Sequence, residues 1–162
     1  MTIGFQKTPG RPVEVLFAAE TGVPNDNQEL LLFGRAGVGA TGTETVITIS
    51  AVSDVTAATL EAETKFGAGS ELAKMVIAAV KANAYASRST FPPIKCVPLA
   101  STDTTLTAPA LVAAKTVKAE FIVSPFDAQS DTVNRTSLKD LCAELSGAQR
   151  VENNQFGTIG VA

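Results

Sequence analysis

Histidine is absent from the 162-residue sequence, and cysteine occurs only twice. Without histidine, the chain lacks the commonest general base and the commonest metal ligand of proteins. A structural zinc site would need more ligands than two cysteines supply, unless carboxylates completed it. These absences weigh against an enzyme, and we expect no catalytic, cofactor-binding or metal-binding residues.

Clustered positive charge and long apolar runs are also lacking. The 13 basic residues are scattered and the net charge is -3, which disfavours a nucleic-acid surface. No apolar run approaches the ~20 residues that cross a bilayer. The first twelve residues lack the apolar segment of a signal peptide. We therefore expect no nucleic-acid partner, no membrane insertion and no export through the general secretory route.

The two cysteines stand in apolar surroundings. Cys96 lies in a strand-like run, and Cys142 lies among leucines of a predicted helix. Such thiols are usually small buried residues in a reducing cytoplasm. Nothing in the sequence supports a disulfide between them.

What the sequence does contain is an alternation of strand and helix patterns. With 45% apolar residues the chain can bury the core of one domain. Residues 65–83 carry the clearest helical pattern, with Ser70 as the capping side chain. The predicted strands are residues 13–18, 29–34, 45–50, 94–99, 120–125 and 158–162. The other predicted helices are residues 53–65, 109–118 and 136–145.

This alternation predicts an α/β fold, a sandwich of helices on a mostly parallel or mixed sheet. We expect residues 1–12 to be an extended N-terminal arm, because their prolines forbid a helix. Three local features are predicted from residue type. Ser53 caps the helix at 53–65, Pro98 ends its strand or marks an edge, and Gly147 ends the last helix.

Gly37, Gly39 and Gly42 match the G-x-G-x-x-G pattern of dinucleotide sites. In such a site the third glycine opens a helix whose amides hold the pyrophosphate. Here the loop runs into TETVITIS, which has the β-branched pattern of a strand. We therefore interpret residues 37–42 as a flexible connection between two strands.

Three weaker patterns carry little functional weight. The turn at residues 67–70 precedes a helix and has the geometry to hold an anion, but a simple capped helix start is the commoner case. Asp127 and Asp131 flank a loop after a strand end, where a magnesium site would be possible. Serines and lysines able to meet as a dyad are present, although no spacing favours one pair.

The segment TKFGAGSELAKMVIAAVKAN, residues 64–83, resembles the tail sheath proteins of contractile bacteriophages of the Mu-like kind. Those proteins carry an aromatic-Gly-small-Gly-Ser turn, followed by a helix of the form Leu-Ala-x-Met-Val-x-Ala. The matching residues are Phe66, Gly67, Gly69, Ser70, Leu72, Ala73, Met75, Val76 and Ala79.

Other segments of the family occur in the expected order, so the resemblance covers most of the chain. ELLLFGRAGVGATG resembles the strand and glycine loop, and IKCVPLA the strand that ends in Pro-Leu. EFIVSPFDAQS resembles the Ile-Val-Ser-Pro strand with its loop, and LKDLCAELSGAQR the helix that follows. The turn and helix at FGAGS are the most specific part.

The resemblance implies a structural protein of the virion, a tail sheath assembled in the host cytoplasm. Its subunits polymerise helically around the tail tube and contract to drive the tube through the host envelope. The implied partners are further copies, linked by strand exchange through terminal arms, the tail tube protein, and the baseplate and tail terminator proteins. No cofactor is implied. A phage tail, a bacteriocin and another injection device all remain open.

Family members are usually longer than this chain. Many carry an outward-facing domain between the Pro-Leu and Ile-Val-Ser-Pro strands, and here only residues 100–118 occupy that interval. They also continue past the position of Ala162 into a region that faces the tube. We therefore expect residues 13–162 to be a sheath core domain, incomplete at its C-terminus and lacking the outer insertion near residues 101–108. Whether residues are missing near Thr105 stays open.

Two other interpretations remain. The first is a small α/β nucleotide-binding domain or enzyme that uses residues 37–42, a monomer or closed oligomer that NAD or ATP would stabilise. The second is an adaptor domain that binds one partner by strand addition.

Overall fold

The computed structural model describes residues 3–6, 12–15, 29–85, 92–128, 130–153 and 159–161. Their strands are β1 (Ile3–Gln6), β2 (Pro12–Val15), β3 (Leu30–Arg35), β4 (Ile47–Ile49), β5 (Ile94–Leu99), β6 (Phe121–Val123) and β7 (Ile159–Val161). Their helices are α1 (Val55–Phe66), α2 (Glu71–Tyr85), α3 (Ala108–Ala114) and α4 (Thr132–Asn153).

Five strands form one mixed sheet in the order β4-β5-β3-β6-β7. β3 is parallel to β5 and to β6, and β6 is parallel to β7. Only β4 is antiparallel to its neighbour β5. This arrangement confirms the predicted α/β fold with a mostly parallel sheet. β1 and β2 form a separate antiparallel pair.

β3 is the centre of the sheet and is buried on both faces. Leu31 and Phe33 belong to a core cluster with residues of α3 and α4, whereas Leu32 belongs to a cluster with residues of α1 and α2. Successive residues of a strand point to opposite faces. A continuous apolar run is therefore required when helices cover both faces, as the ELLLFG segment predicted.

Gly34 brings α2 unusually close to β3. A Cβ atom at this position would lie 2.9 Å from Leu72 Cβ and 3.0 Å from Leu72 Cα. Real Cβ atoms are not found that near other carbons, and the obstacle includes backbone. Gly34 is therefore needed for the close packing of the main helix on the sheet.

Two residues predicted to mark helix ends do not do so, and the predicted helices at 109–118 and 136–145 are instead Ala108–Ala114 and Thr132–Asn153. Asp54, rather than Ser53, caps α1, and its Oδ1 accepts hydrogen bonds from the backbone N–H groups of Thr56 (2.7 Å) and Ala57 (3.3 Å). Gly147 does not end α4, which continues to Asn153. An exposed helical glycine costs only about 1 kcal/mol, so it does not stop a helix by itself.

Pro98 lies near the end of its strand, as predicted, but β5 is an inner strand. β4 pairs only with residues 94–96 of β5, so the missing N–H of Pro98 falls beyond this pairing. The carbonyl of Pro98 instead accepts the backbone N–H of Glu44 at 2.7 Å. A proline is tolerated here because no ladder hydrogen bond is lost.

α1 is tied to β4 by a side-chain cluster. Glu61 Oε2 accepts the backbone N–H groups of Ser50 (3.1 Å) and Ala51 (3.0 Å). Lys65 Nζ donates to Glu61 Oε1 at 2.6 Å and to the carbonyl of Thr48 at 2.8 Å. Burial raises the pKa of Glu61, but the hydrogen bonds from Lys65, Ala51 and Ser50 and the charge of Lys65 together lower it below 4.5.

The predicted N-terminal arm falls partly on described residues. β1 and β2 pair so that Ile3 lies opposite Val15 and Phe5 opposite Val13. Residues 1–2 and 7–11 of the arm lie outside the described residues, as do residues 16–18 of the predicted strand that follows it.

The close approach at Gly34 predicts that Gly34→Ala destabilises the protein by about 1–3 kcal/mol, because α2 must move away from β3. Urea denaturation followed by circular dichroism measures the change. Gly147→Ala is the matched control, since a Cβ there has nothing within 4 Å. It is expected to stabilise the helix by about 0.5–1 kcal/mol. Equal effects of the two substitutions would contradict this explanation.

The lowered pKa of Glu61 predicts a pH-dependent contribution to stability. The ionised form is favoured in the folded state, so the contribution is complete above pH 4.5 and is lost as the pH falls through the lower folded pKa. Glu61→Gln is expected to cost about 1–2 kcal/mol at pH 7. Thermal unfolding of both proteins at a series of pH values checks this. A difference that stays constant down to pH 3 would be inconsistent with it.

Candidate functional site

The carboxyl ends of the parallel strands β3, β5 and β6 meet at one edge of the sheet. Ligands of α/β proteins bind at this edge, so a functional site would be expected here. Arg35 is the last residue of β3, and the glycine loop follows it. Residues 100–105 follow β5, and residues 124–128 follow β6. The first turn of α2 lies beside them, because Glu71 contacts Arg35.

The glycine loop is hydrogen-bonded to the end of α1. The backbone N–H of Gly37 donates to the carbonyl of Phe66 at 2.7 Å, and that of Thr41 donates to the carbonyl of Lys65 at 3.1 Å. The loop then leads into β4, so the prediction that it connects two strands is confirmed. Since these two amides already have partners, they are not available to hold a phosphate.

Gly67, in the turn before α2, packs against this loop. Its φ is +90°, and a Cβ atom on it would lie 3.2 Å from the Cα of Gly37. One glycine of the G-x-G-x-x-G pattern thus sits against a glycine of the FGAGS segment. This contact requires small residues on both sides. The packing of the backbone therefore explains both glycines, and a bound ligand is not needed to explain them.

The start of α2 already holds a carboxylate. Ser70 caps the helix as predicted, with its Oγ accepting the backbone N–H of Ala73 at 3.2 Å. Glu71 Oε2 accepts the backbone N–H of Arg35 at 3.2 Å, and its Oε1 lies 3.8 Å from the Arg35 guanidinium. Because a negative side chain occupies the first turn, an external anion would be repelled from it.

Arg35 joins the loops of this edge, and the sequence alone did not reveal its role. Its Nε donates to the carbonyl of Asp103 at 2.8 Å, and its guanidinium carbon lies 5.1 Å from the centre of the Phe126 ring. The one sequence feature that could have indicated this role is the position of Arg35, a basic residue directly after the predicted buried strand at residues 29–34. With its side chain 37% exposed, Arg35 connects four segments and remains accessible to solvent.

Asp127 and Asp131 both accept local hydrogen bonds from backbone N–H groups. Asp127 accepts hydrogen bonds from the backbone and the hydroxyl of Ser130 within its own loop. Asp131 Oδ1 accepts the backbone N–H groups of Val133 (2.8 Å) and Asn134 (3.3 Å), so it caps α4. Within the described ranges, no group of three or more metal-ligating side chains is present.

Asn134 is a buried polar residue that sequence analysis missed. Its side-chain oxygen accepts the backbone N–H of Leu106 at 3.3 Å. Its amide nitrogen donates to the carbonyl of Thr104 at 3.3 Å and to Asp131 Oδ2 at 2.9 Å. Asn134 therefore anchors the loop after β5 to the start of α4. All its contacts are structural.

Both cysteines are free thiols. Cys96 is buried, as predicted, and burial raises its pKa well above the ordinary value. Cys142 is only half-buried, and burial raises its pKa as well. A thiol with a raised pKa is a poor nucleophile because little thiolate forms.

A groove of about 240 Å³ lies between α3 and α4. Ser137 and Lys115 both line it, which is the pairing that a Ser-Lys dyad would need. However, Lys115 Nζ lies 2.7 Å from Glu144 Oε2 and is held in an ion pair. The groove therefore has the character of a helix–helix crevice with a surface ion pair across it.

Comparison with models of known protein families and with curated proteins found no match to this chain. No helix in the described part of the chain has the length and apolar character that a membrane span requires.

The occupied amides of the glycine loop predict that NAD and ATP do not stabilise the protein. Thermal shift at millimolar nucleotide is the measurement, and the expected change in melting temperature is less than about 1 °C. A shift of several degrees would contradict the interpretation, provided that replacing Gly37 and Gly39 with alanine removed it. Such a result would restore the nucleotide-binding alternative.

Proposed function

We propose that this chain is the structural subunit of a contractile tail sheath, which polymerises helically around a tail tube and contracts to drive the tube through a cell envelope. Its partners under this proposal are further copies of itself, the tail tube protein, and the baseplate and terminator proteins of a virion tail. The resemblance of residues 64–83 to sheath proteins is the sequence support.

The observation that carries the proposal is a hairpin separate from the main sheet, together with an edge strand, β7. The β1–β2 hairpin joins no strand of the five-stranded sheet, and among the described strands β7 pairs only with β6. An isolated two-stranded hairpin is marginally stable in water, so it needs a surface to cover it. An edge strand is a template on which another chain can add a strand.

The pairing within the hairpin divides its residues into two sets. Ile3 pairs with Val15 and Phe5 with Val13, whereas the intervening pairs are Gly4 with Glu14 and Gln6 with Pro12. The four large apolar residues therefore share one set of register positions. A hairpin with this sequence pattern is suited to lie on another surface.

A chain with both a donor segment and an acceptor edge can make head-to-tail contacts. Such contacts generate rings or open helical filaments, depending on whether the rotation closes. The core between these elements is tightly packed around β3, which suits a subunit that must move as a rigid body. Together these features favour a helical polymer over a monomeric enzyme.

The test is negative-stain electron microscopy of the purified protein, alone and co-expressed with its tail tube protein. Hollow striated tubes are expected in at least one condition. Phe5→Asp places a charge among the apolar register positions of the hairpin and is expected to abolish the tubes. Gln6→Asp, in the other set of positions, is the matched control and should retain them.

Both variants should melt at the wild-type temperature, because the hairpin pairs with no strand of the main sheet. Dispersed particles in both conditions would reject the proposal. Tubes that survive Phe5→Asp would show that assembly does not depend on the hairpin.

A further inference from the structure

At the β4 edge of the five-stranded sheet, side chains of α1 satisfy outward-facing backbone groups. At the β4 edge, the direction of each residue follows from its partner strand. The carbonyl of Leu99 accepts Ala36 N–H, on the β3 side of β5, so Leu99 and every second residue before it face β3. Lys95 belongs to this set, whereas Ile94 and Cys96 face β4.

Thr48 therefore faces outward. It lies opposite Lys95, and its neighbours Ile47 and Ile49 lie opposite Cys96 and Ile94. The backbone groups of Thr48, and the N–H of Ser50 two residues later, point away from β5. These are the groups that a strand added to this edge would use.

Side chains of α1 already occupy two of these outward groups. Lys65 Nζ donates a hydrogen bond to the carbonyl of Thr48 at 2.8 Å, and Glu61 Oε2 accepts one from the backbone N–H of Ser50 at 3.1 Å. The two side chains also bond each other at 2.6 Å, one helical turn apart. We call Glu61 and Lys65 the β4 clasp.

The β7 edge has a different environment. β7 is parallel to β6, and no other described strand pairs with it. It passes tightly against α4, since a Cβ atom on Gly160 would lie 2.8 Å from Cys142 Sγ and 2.9 Å from Leu138 Cγ. One face of β7 is therefore covered by α4, while its outer edge has no described strand.

We propose that the β4 clasp closes this edge of the sheet, so that a strand from a second copy cannot add there. Glu61 and Lys65 thus protect β4 from strand addition. A subunit with two open edges would pair in more than one way and would branch. A subunit with one closed edge gives a single, directional contact.

The choice of a second copy as partner rests on the proposed function, but the closure of β4 does not. The test therefore uses the Phe5→Asp protein throughout, and each variant is compared with that background. Glu61→Ala with Lys65→Ala removes the clasp without changing net charge, and alanine preserves α1. Lys115→Ala with Glu144→Ala removes another surface ion pair and is the matched control.

Sedimentation velocity over a range of protein concentrations is the readout. The clasp variant is expected to self-associate at least about tenfold more tightly than the background, a difference of about 1.4 kcal/mol. The control pair should behave like the background. Adding Thr48→Pro to the clasp variant should reverse the association, because proline blocks an edge without costing a bond to β5.

The proposal is overturned if the clasp variant sediments like the background, or if its association survives Thr48→Pro. Thermal unfolding checks that each variant remains folded. Should the double variant lose its cooperative transition, Lys65→Met replaces it, since this change uncovers only the Thr48 carbonyl. The clasp variant could associate through β4 while the wild-type protein forms no tubes. That result would reject the proposed sheath function but would support the closure of β4 by the clasp.

Discussion

The burial of β3 on both faces is the constraint from which the rest of the architecture follows. Its apolar residues alternate between two core clusters, one with α1 and α2 and the other with α3 and α4. A strand of this kind cannot face water on either side, so helices must cover both faces. Gly34 then sets how near α2 can come, because any side chain there would meet Leu72.

The same close packing accounts for the features that first indicated chemistry. The glycines of the loop after β3 let the backbone contact the end of α1 and the turn before α2. Ser70 accepts a backbone N–H in the first turn of α2, and Asp131 accepts one in the first turn of α4. Glu71, in the first turn of α2, accepts the backbone N–H of Arg35. The backbone N–H groups of Gly37, Thr41 and Ala73 are thus hydrogen-bonded within the chain itself.

Two edge strands and a separate hairpin complete the β structure of the described residues. The hairpin stands outside the main sheet, β7 forms one edge, and β4 forms the other with its outward groups held by Glu61 and Lys65. Edge strands are where proteins associate or are protected from association. The closed β4 edge is the structural basis of the proposal that strand addition is restricted to part of the sheet.

The sequence by itself determined the elements whose signal is local. The apolar run before Gly34, the helical spacing after Ser70 and the β-branched strand after the glycine loop all depend on neighbouring residues, so period and residue type suffice. The α/β class followed from their alternation. The helix ends were less well predicted, because Asp54 and Ser53 are both good caps and Gly147 is tolerated inside a helix.

Only the tertiary structure decided which distant groups meet. The contacts of Arg35 with Asp103 and Phe126, of Asn134 with the loop after β5, and of Glu61 and Lys65 with β4 join residues whose separation in sequence carries no signal. The strand order, which makes β4 and β7 the edges, was likewise not predictable from local pattern. Hydrophobic period reports which face of an element is buried, whereas pairing between elements depends on the packing of the whole chain.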